Sequence, residues 1–430
     1  MTLGQLISLT VLLGVVTALI HGKMRAEVVA LAGAAILLIT RTVRPIEVQG
    51  AFASPALIAL ASLFVIAYAM ELSGLLGQLI RLTVKLCVRL GSMGLWVLIA
   101  LSGTLSAFVN NTPIVVLTAP VVRNAALSLS ISPKKFLIPL SYATILGGSC
   151  TLIGTSTNLL VNDMARSAGQ PVFTLFEVTS VALCLAAVGG LYLLFFASQL
   201  TDAEEATEPK SLPRRVDQAS GDDPAVFPPE QEFQPLRAAV SFSVFVLVVT
   251  VAALDLAPIA AAAFAGAVFL IISGVVRAEE AYKGLRPEIL LLIAGMVVIG
   301  LSLEITGLAA LATDLVLSRI QDLSPQQALV LLYGATLFLT EILSNAAVAV
   351  LLTPIAVALA EGLGVSPRPF LVAVMMAASA AFATPFGYQT NVLVYQMGKY
   401  KYLDFVKFGL PLNFLTWLAG VLAIPYFFPF

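Results

Sequence analysis

Apolar runs long enough to cross a lipid bilayer dominate the chain, and the polar residues between them are sparse and clustered. A crossing helix needs about 20 mostly apolar residues. Such runs lie near 4–20, 26–40, 56–74, 136–153, 174–198, 237–254, 257–275, 288–306, 369–386 and 409–427. Two further apolar stretches, 94–129 and 326–360, are too long for one helix and awkward for two. Each carries an Asn-containing polar break at its middle, which predicts a helical hairpin that enters and leaves on one side. The first run lacks the basic start and small-residue cleavage pattern of a secretory signal. The pattern predicts an all-α polytopic membrane protein with ten crossings and two re-entrant hairpins.

Composition narrows what such a protein does. Of 430 residues, 59% are hydrophobic and 11% charged, against about 25% charged in soluble domains. A net charge of −1 removes the basic character of a nucleic-acid binder. The three cysteines, Cys87, Cys150 and Cys184, are far apart and form no CxxC or Cys/His cluster, so neither disulfides nor zinc are expected. The single histidine, His21, lies beside Lys23 and Arg25. An intramembrane hydrolase would need a His/Asp, Ser/Lys or metal constellation, so no enzyme and no organic cofactor are expected.

Lys and Arg set the orientation. With the N-terminus outside and both hairpins re-entrant, 18 of the 23 basic residues fall on the cytoplasmic side. Arg41, Arg44, Arg166, Arg319 and Arg368 remain outside, a split that the positive-inside rule expects. Both termini are then outside, in a plasma membrane such as a bacterial inner membrane. Residues 201–236 hold nine of the 24 acidic residues and six of the 23 prolines, and read as a flexible cytoplasmic linker.

The linker separates two repeats, 1–200 and 237–430. A shift of 233 aligns Glu71, Gly74 and Leu75 with Glu304, Gly307 and Leu308, and Gly154, Thr157 and Asn158 with Gly387, Thr390 and Asn391. A shift of 234 aligns Asn111, Val116, Pro120, Ser132 and Pro133 with Asn345, Val350, Pro354, Ser366 and Pro367. Each half holds five crossings, an odd number, so the repeats are inverted. Inverted repeats with interrupted helices are an architecture of secondary transporters, whose sites lie near the midplane. The segments 75–90 and 307–322 read as amphipathic surface helices.

Four polar breaks remain: 106–113, 154–158, 340–346 and 384–391. Unwound backbone in lipid is tolerated only inside protein or along a wet cavity. Helix N-termini beginning near Asn111 and Asn345 suit an anion, while carbonyls and side-chain oxygens at the breaks suit a hard cation such as Na⁺. No Lys or Arg lies in the four segments. An anion there would be held by dipoles, amides and a co-bound cation, which predicts ion coupling.

FVNNTP (108–113) and ILSNAA (342–347), with TLIGTSTN (151–158) and ATPFGYQTN (383–391), resemble the divalent anion/sodium symporter family over nearly the whole chain. The resemblance implies a homodimer working as an elevator. Scaffold helices (1–52 and 237–286) would hold the dimer while the transport parts (53–200 and 287–430) carry substrate. It also implies a substrate site at Asn110, Asn111, Thr112, Ser344, Asn345, Ala346, Tyr388 and Gln389. Na⁺ ligands would come from Ser106, Asn111, Gly154, Thr155, Asn158, Thr340, Asn345, Gly387 and Asn391. Asn110 stands where the family has Ser, and Ala346 where it has Thr. Thr155-Ser156-Thr157-Asn158 and Tyr388-Gln389-Thr390-Asn391 replace its Thr-Pro-Pro-Asn. These substitutions resemble the branch that carries inorganic anions such as sulfate.

Glu341 is an intramembrane acid three residues before Ser344, with Ala107 at the matching place in the first half. It is either a cation partner or a structural carboxylate bonded to backbone. The leading expectation is symport of a small divalent oxyanion, with membrane lipids as surroundings and Na⁺, or else H⁺, as coupling ion. Di- or tricarboxylate uptake, arsenite or silicate efflux, Na⁺/H⁺ antiport and an anion channel are the competing readings.

Overall fold

The computed structural model of the protein describes residues 1–21, 23–75, 77–78, 90–197, 233–254, 256–311 and 324–430. The linker through residue 232 and most of the two amphipathic segments, 75–90 and 307–322, lie outside the described residues. Among the described residues the secondary structure is helical throughout. The first half contains α1 (Leu3–His21), α2 (Ala26–Ile39), α3 (Pro45–Phe52), α4 (Pro55–Leu72), α5 (Ser92–Ser106), α6 (Asn111–Ser128), α7 (Lys134–Gly148), α8 (Ser156–Ser167) and α9 (Thr179–Phe196). The second contains α10 (Pro235–Ala253), α11 (Ile259–Ile272), α12 (Ala278–Gly284), α13 (Pro287–Ile305), α14 (Pro325–Thr340), α15 (Asn345–Gly362), α16 (Arg368–Ser379), α17 (Gln389–Gly398) and α18 (Tyr402–Phe427). The first eight helices begin within one residue of 233 positions before α10 to α17.

Local chemistry sets the helix starts. Ser54 accepts from Leu57 N at 3.1 Å with Pro55 in the first turn of α4, and Ser324 and Gln327 form a capping box on α14. At the hairpin tips Asn110 caps α6 through Thr112 N (3.3 Å), and Ser344 caps α15 through Ala347 N (3.3 Å). The runs 136–153 and 369–386 end earlier as helices, at Gly148 and Ser379. Adjacent Gly147 and Gly148 carry the lowest helix propensity short of proline. Pro385 lacks an N–H, and its ring would strike the Ala381 carbonyl if the helix continued. The unwound stretches are therefore 149–155 and 380–388, and Asn158 and Asn391 sit inside the first turn of α8 and α17.

Six helical stretches are long and apolar enough to cross a bilayer alone: Pro45–Leu72, α9, α10, α13, α15 and α18. α15 is one of them, although its sequence predicts a hairpin arm. Two of the ten expected crossings are split, α7 with α8 and α16 with α17. The first pair measures about 22 and 18 Å, the second about 18 and 15 Å.

Packing pairs the two halves. α2 lies on α13 and α4 on α11; α6 lies on α17 and α15 on α8; α5 lies on α7 and α14 on α16. Each pair becomes the other when the halves are exchanged. Lipid offers no hydrophobic drive for helix association, so close contact must do it. At Gly295 of α13 a Cβ would sit 2.8 Å from the Ala30 backbone of α2. Val65, Ile66 and Ala69 of α4 form an apolar cluster with Val244 and Val248 of α10 and Ala263, Ala267 and Leu270 of α11.

Contacts between loops sort into two groups. Tyr400 donates to Lys134 O (2.5 Å) and accepts from Ile138 N (3.1 Å), and Gln234 N donates to Ser73 O (2.9 Å). Separately, Arg368 pairs with Glu177, donates to Pro171 O (3.4 Å) and stacks over Phe173, while Gln170 reaches Glu361 (3.3 Å).

Candidate functional site

The first tip and the first break meet at Gly154. Its position is hemmed by carbonyl oxygens: a Cβ there would lie 2.9 Å from Ser106 O and 2.7 Å from Ala107 O, with Gly148 O closer still. Ser106 ends α5 and Gly148 ends α7, so two helix C-termini aim their unspent carbonyls at one place. Ser106 Oγ donates to Asn111 Oδ1 at 2.5 Å, which fixes that amide with its oxygen toward Gly148. Thr151 Oγ1 donates to Ala107 O and accepts from Gly154 N (3.1 Å). Asn158 Nδ2 reaches back to Ser149 O (3.3 Å) and Thr151 O (2.9 Å), while its buried Oδ1 has no partner among the described residues. Leu152 N finds Leu175 O (3.0 Å), and Thr179 of α9 donates to Cys150 O (2.6 Å). The N–H groups of Leu152 and Gly154 thus find acceptors within the unwound stretch, and Asn158 Oδ1 remains as a buried acceptor without one.

The second tip and break repeat the backbone plan with different chemistry. Thr340 Oγ1 gives its one proton to Ala378 O at 2.6 Å. The Asn345 amide then turns its nitrogen toward Thr340 Oγ1 (2.8 Å), Gly387 O (3.2 Å) and Ala378 O (3.3 Å). Asn391 Nδ2 donates to Ala381 O (2.8 Å) and Thr384 O (3.2 Å), and its Oδ1 accepts from Ser141 of α7 (2.7 Å). Gly387 N donates to Thr384 Oγ1 (3.1 Å), as Gly154 does to Thr151. Glu341 O, the counterpart of Ala107 O, lies 3.2 Å from Thr384 Oγ1, and the Glu341 carboxylate is added beside it. It accepts from Ala383 N (2.8 Å), Thr384 Oγ1 (2.8 Å) and Asn413 Nδ2 of α18 (2.6 Å). Tyr142 of α7 braces the same break through Phe382 O (2.5 Å).

The two tips come together on adjacent residues of the second break. Asn111 Nδ2 donates to the Tyr388 hydroxyl at 2.8 Å, while Asn345 faces Gly387 O. Thr112 Oγ1 lies 3.3 Å from Gln389 Oε1, whose side chain is otherwise open. Asn110 and Ala346 are half-buried and Ser344 is exposed at the tips; Thr155 caps α8 through Thr157 N (3.4 Å). Three residues that brace the breaks, Ser141, Tyr142 and Asn413, lie outside the motifs and were missed in the sequence; Thr151 opens the TLIGTSTN stretch but was not singled out. Asn413 had one signal: a lone amide inside the apolar run 409–427, where a polar side chain needs an interhelical partner.

Residues 16–364 and 252–429 match the CitMHS family model, described as citrate transporter. An uncharacterized transporter of Synechocystis sp., sll0640, is 26% identical over 93% of this chain and 93% of its own length. The sodium/sulfate cotransporter 2 of Chlamydomonas reinhardtii is 36% identical, over 35% of this chain and 17% of that protein. The YdaH transporter of Alcanivorax borkumensis is similar in fold, with a TM-score of 0.63 over 88% of this chain and 86% of that one, at 16% identity. Hairpin tips, paired breaks and a family match over most of the chain converge: the chain belongs to the CitMHS citrate transporter family of membrane transporters.

Proposed function

We propose that this protein is a secondary active transporter, a Na⁺-coupled symporter of a small divalent oxyanion such as sulfate, working as an elevator in a homodimer of inverted repeats. One observation carries the reading: three carbonyl oxygens converge beside Gly154, next to an Asn111 amide that reaches Tyr388. A Na⁺ ion entering beside Gly154 meets the negative ends of α5 and α7 and neutral oxygen ligands, the donor set a hard cation takes. Its charge lies next to the N-termini of α6 and α15, which favour an anion. With no Lys or Arg in the four segments, the dianion depends on the cation for its counter-charge. That dependence is the coupling. The Tyr388 and Gln389 side chains and Thr112 offer neutral polar groups to oxyanion oxygens.

The scaffold in this reading comprises α1 to α4 with α10 to α13, because α4 packs on α10 and α11. Its borders then fall in the segments 75–90 and 307–322 rather than at 52 and 286. The basic-residue count is what assigns the linker's face to the cytoplasm, and the loop contacts support the sidedness of the predicted topology. Lys134, Tyr400, Ser73 and Gln234 all belong to its inner face, and Glu177, Arg368, Gln170 and Glu361 to its outer face. A second reading, symport of a di- or tricarboxylate, is favoured by the description of the family model.

Proteoliposomes test both. Labelled sulfate should accumulate against its gradient only under an inward Na⁺ gradient, and excess citrate or succinate should not compete. Competition by a carboxylate at concentrations near those of sulfate selects the second reading. Uptake indifferent to collapse of the Na⁺ gradient sinks symport of either kind.

A further inference from the structure

The exchange of halves that relates the helix pairs above fails where the helices after the tips and breaks meet α4 and α13. α8 packs on α4 and α13, and α15 packs on α13; the counterpart α17 has no comparable packing on α13 or α4, and α6 meets α4 more slightly, through Ile114 in a small cluster with Met70 and Ala67. The contact centres on Gly300 of α13. A Cβ there would run into Met164 Cε of α8 and lie 3.0 Å from Val350 Cγ1 of α15. Met164 is 2% exposed and Val350 1%. Next to Met164, Asp163 turns its buried carboxylate toward the Ser54 hydroxyl and the Ala56 N–H at the start of α4. Under the same shifts that relate the halves, Met164 corresponds to Met397 of α17, Val350 to Val116 of α6, and Gly300 to Ala67 of α4. Residue type is kept in all three places: a methionine, a valine and a small residue. Yet Met397 and Val116 are only half-buried.

We propose that these are two copies of one gate, of which the structure shows one closed and one open. Met164 and Val350 seated on the Gly300 notch seal the outer side. Met397 and Val116 seat on Ala67 when the carrier moves, and seal the inner side. The proposal rests on the elevator reading above and adds the residues that close each end. The physical logic is that of a steric stop: a flexible Met and a Val fill a notch that only a small residue leaves open. The two notches lie on scaffold helices of opposite repeats, so the carrier can fill one at a time. The orientation of the chain makes the present state open toward the cytoplasm.

The test uses full-length protein in proteoliposomes, with Cys87, Cys150 and Cys184 replaced by Ser and a protease site in the 201–236 linker. Each cysteine pair joins one half to the other, so a cross-link keeps the cleaved halves together on a denaturing gel. Met164→Cys with Gly300→Cys should be bridged by Hg²⁺ in the state seen here. Ala67→Cys with Met397→Cys should also be bridged, and conditions that raise one yield should lower the other. A second variant needs no thiols: Ala67→Leu fills the inner notch, and should cut Na⁺-dependent sulfate uptake roughly tenfold while raising the 164–300 yield. The gate pair is overturned if the 67–397 pair never bridges, if both pairs bridge with yields that rise together, or if Ala67→Leu changes neither uptake nor yield. Absent sulfate uptake in the parent protein overturns the substrate reading alone, because the reciprocal cross-links are read without transport.

Discussion

The two breaks share a backbone and differ in what they have left to give. Both are pinned by an Asn one turn into the following helix and by a Thr that accepts from a Gly N–H three residues on. In the first break three carbonyls crowd Gly154, and Asn158 Oδ1 has no partner among the described residues. In the second, Ser141 satisfies Asn391 Oδ1, and a carboxylate, Glu341, is spent on three donors. One break presents neutral oxygens only, the other an acidic side chain bonded to three donors, with Asn413 Oδ1 beside it and Ser379 Oγ left without a partner among the described residues. The two breaks keep one backbone plan and differ in their side chains.

Gly154→Ala should test that contrast hardest. The added methyl enters the carbonyl cage, so Na⁺-dependent thermal stabilisation and Na⁺-driven uptake should both vanish. Gly387→Ala meets Ala381 Cβ at 2.8 Å and Thr384 Oγ1 at 3.0 Å rather than a cage of carbonyls, and should retain Na⁺ stabilisation. Equal loss in the two variants would mean that the breaks are not specialised.

The paired asparagines come next. Asn391→Ala strands the bonds to Ala381 O, Thr384 O and Ser141, and should lower stability by about 2–4 kcal/mol, read as a fall in Tm. Asn158→Ala should cost less stability but raise the Na⁺ concentration for half-maximal stabilisation about tenfold, as loss of one charge-assisted ligand predicts. A Na⁺ titration that leaves Asn158→Ala unchanged removes that oxygen from the cation site.

Glu341→Gln should act as a structural change. Its amide oxygen can still accept from Ala383 N and Asn413 Nδ2, but its N–H turns toward the Thr384 hydroxyl, which already accepts from Gly387 N, at a cost of about 1–3 kcal/mol. The Na⁺ midpoint should move less than in Asn158→Ala; a larger shift would make Glu341 a cation ligand. Tyr388→Phe is the mildest test. It deprives Asn111 Nδ2 of its acceptor, and the sulfate concentration for half-maximal uptake should rise about two- to tenfold with the maximal rate kept.

Much of the arrangement is legible in residue order because the physics is local. Asn110 and Ser344 cap helices from their own positions, and apolar runs of membrane length have few alternatives to helix. The mid-run motifs around Gly154 and Asn391 flag breaks, yet their true edges were hidden. Gly147-Gly148 and Pro385 stop the helices five or six residues earlier than the polar pattern suggests. Glu341 shows the limit more sharply. Its sequence leaves cation partner and structural acid both open, and its bonds to Ala383, Thr384 and Asn413 come from two other stretches of chain that no local pattern pairs with it.

By itself the sequence determined that the chain lies in lipid, that it is written twice, and that its scarce uncharged polar residues gather at four breaks. These follow from composition, periodicity and spacing, which are properties of the chain before it folds. Only the tertiary structure decided which carbonyls converge beside Gly154, that both tips meet at Gly387 and Tyr388, and that α8 and α15 pack on α13 more closely than α17 and α6 do on α4. Those are distances between segments tens to hundreds of residues apart. They are set by close packing around small residues and by the pairing of buried polar groups, which no local pattern encodes.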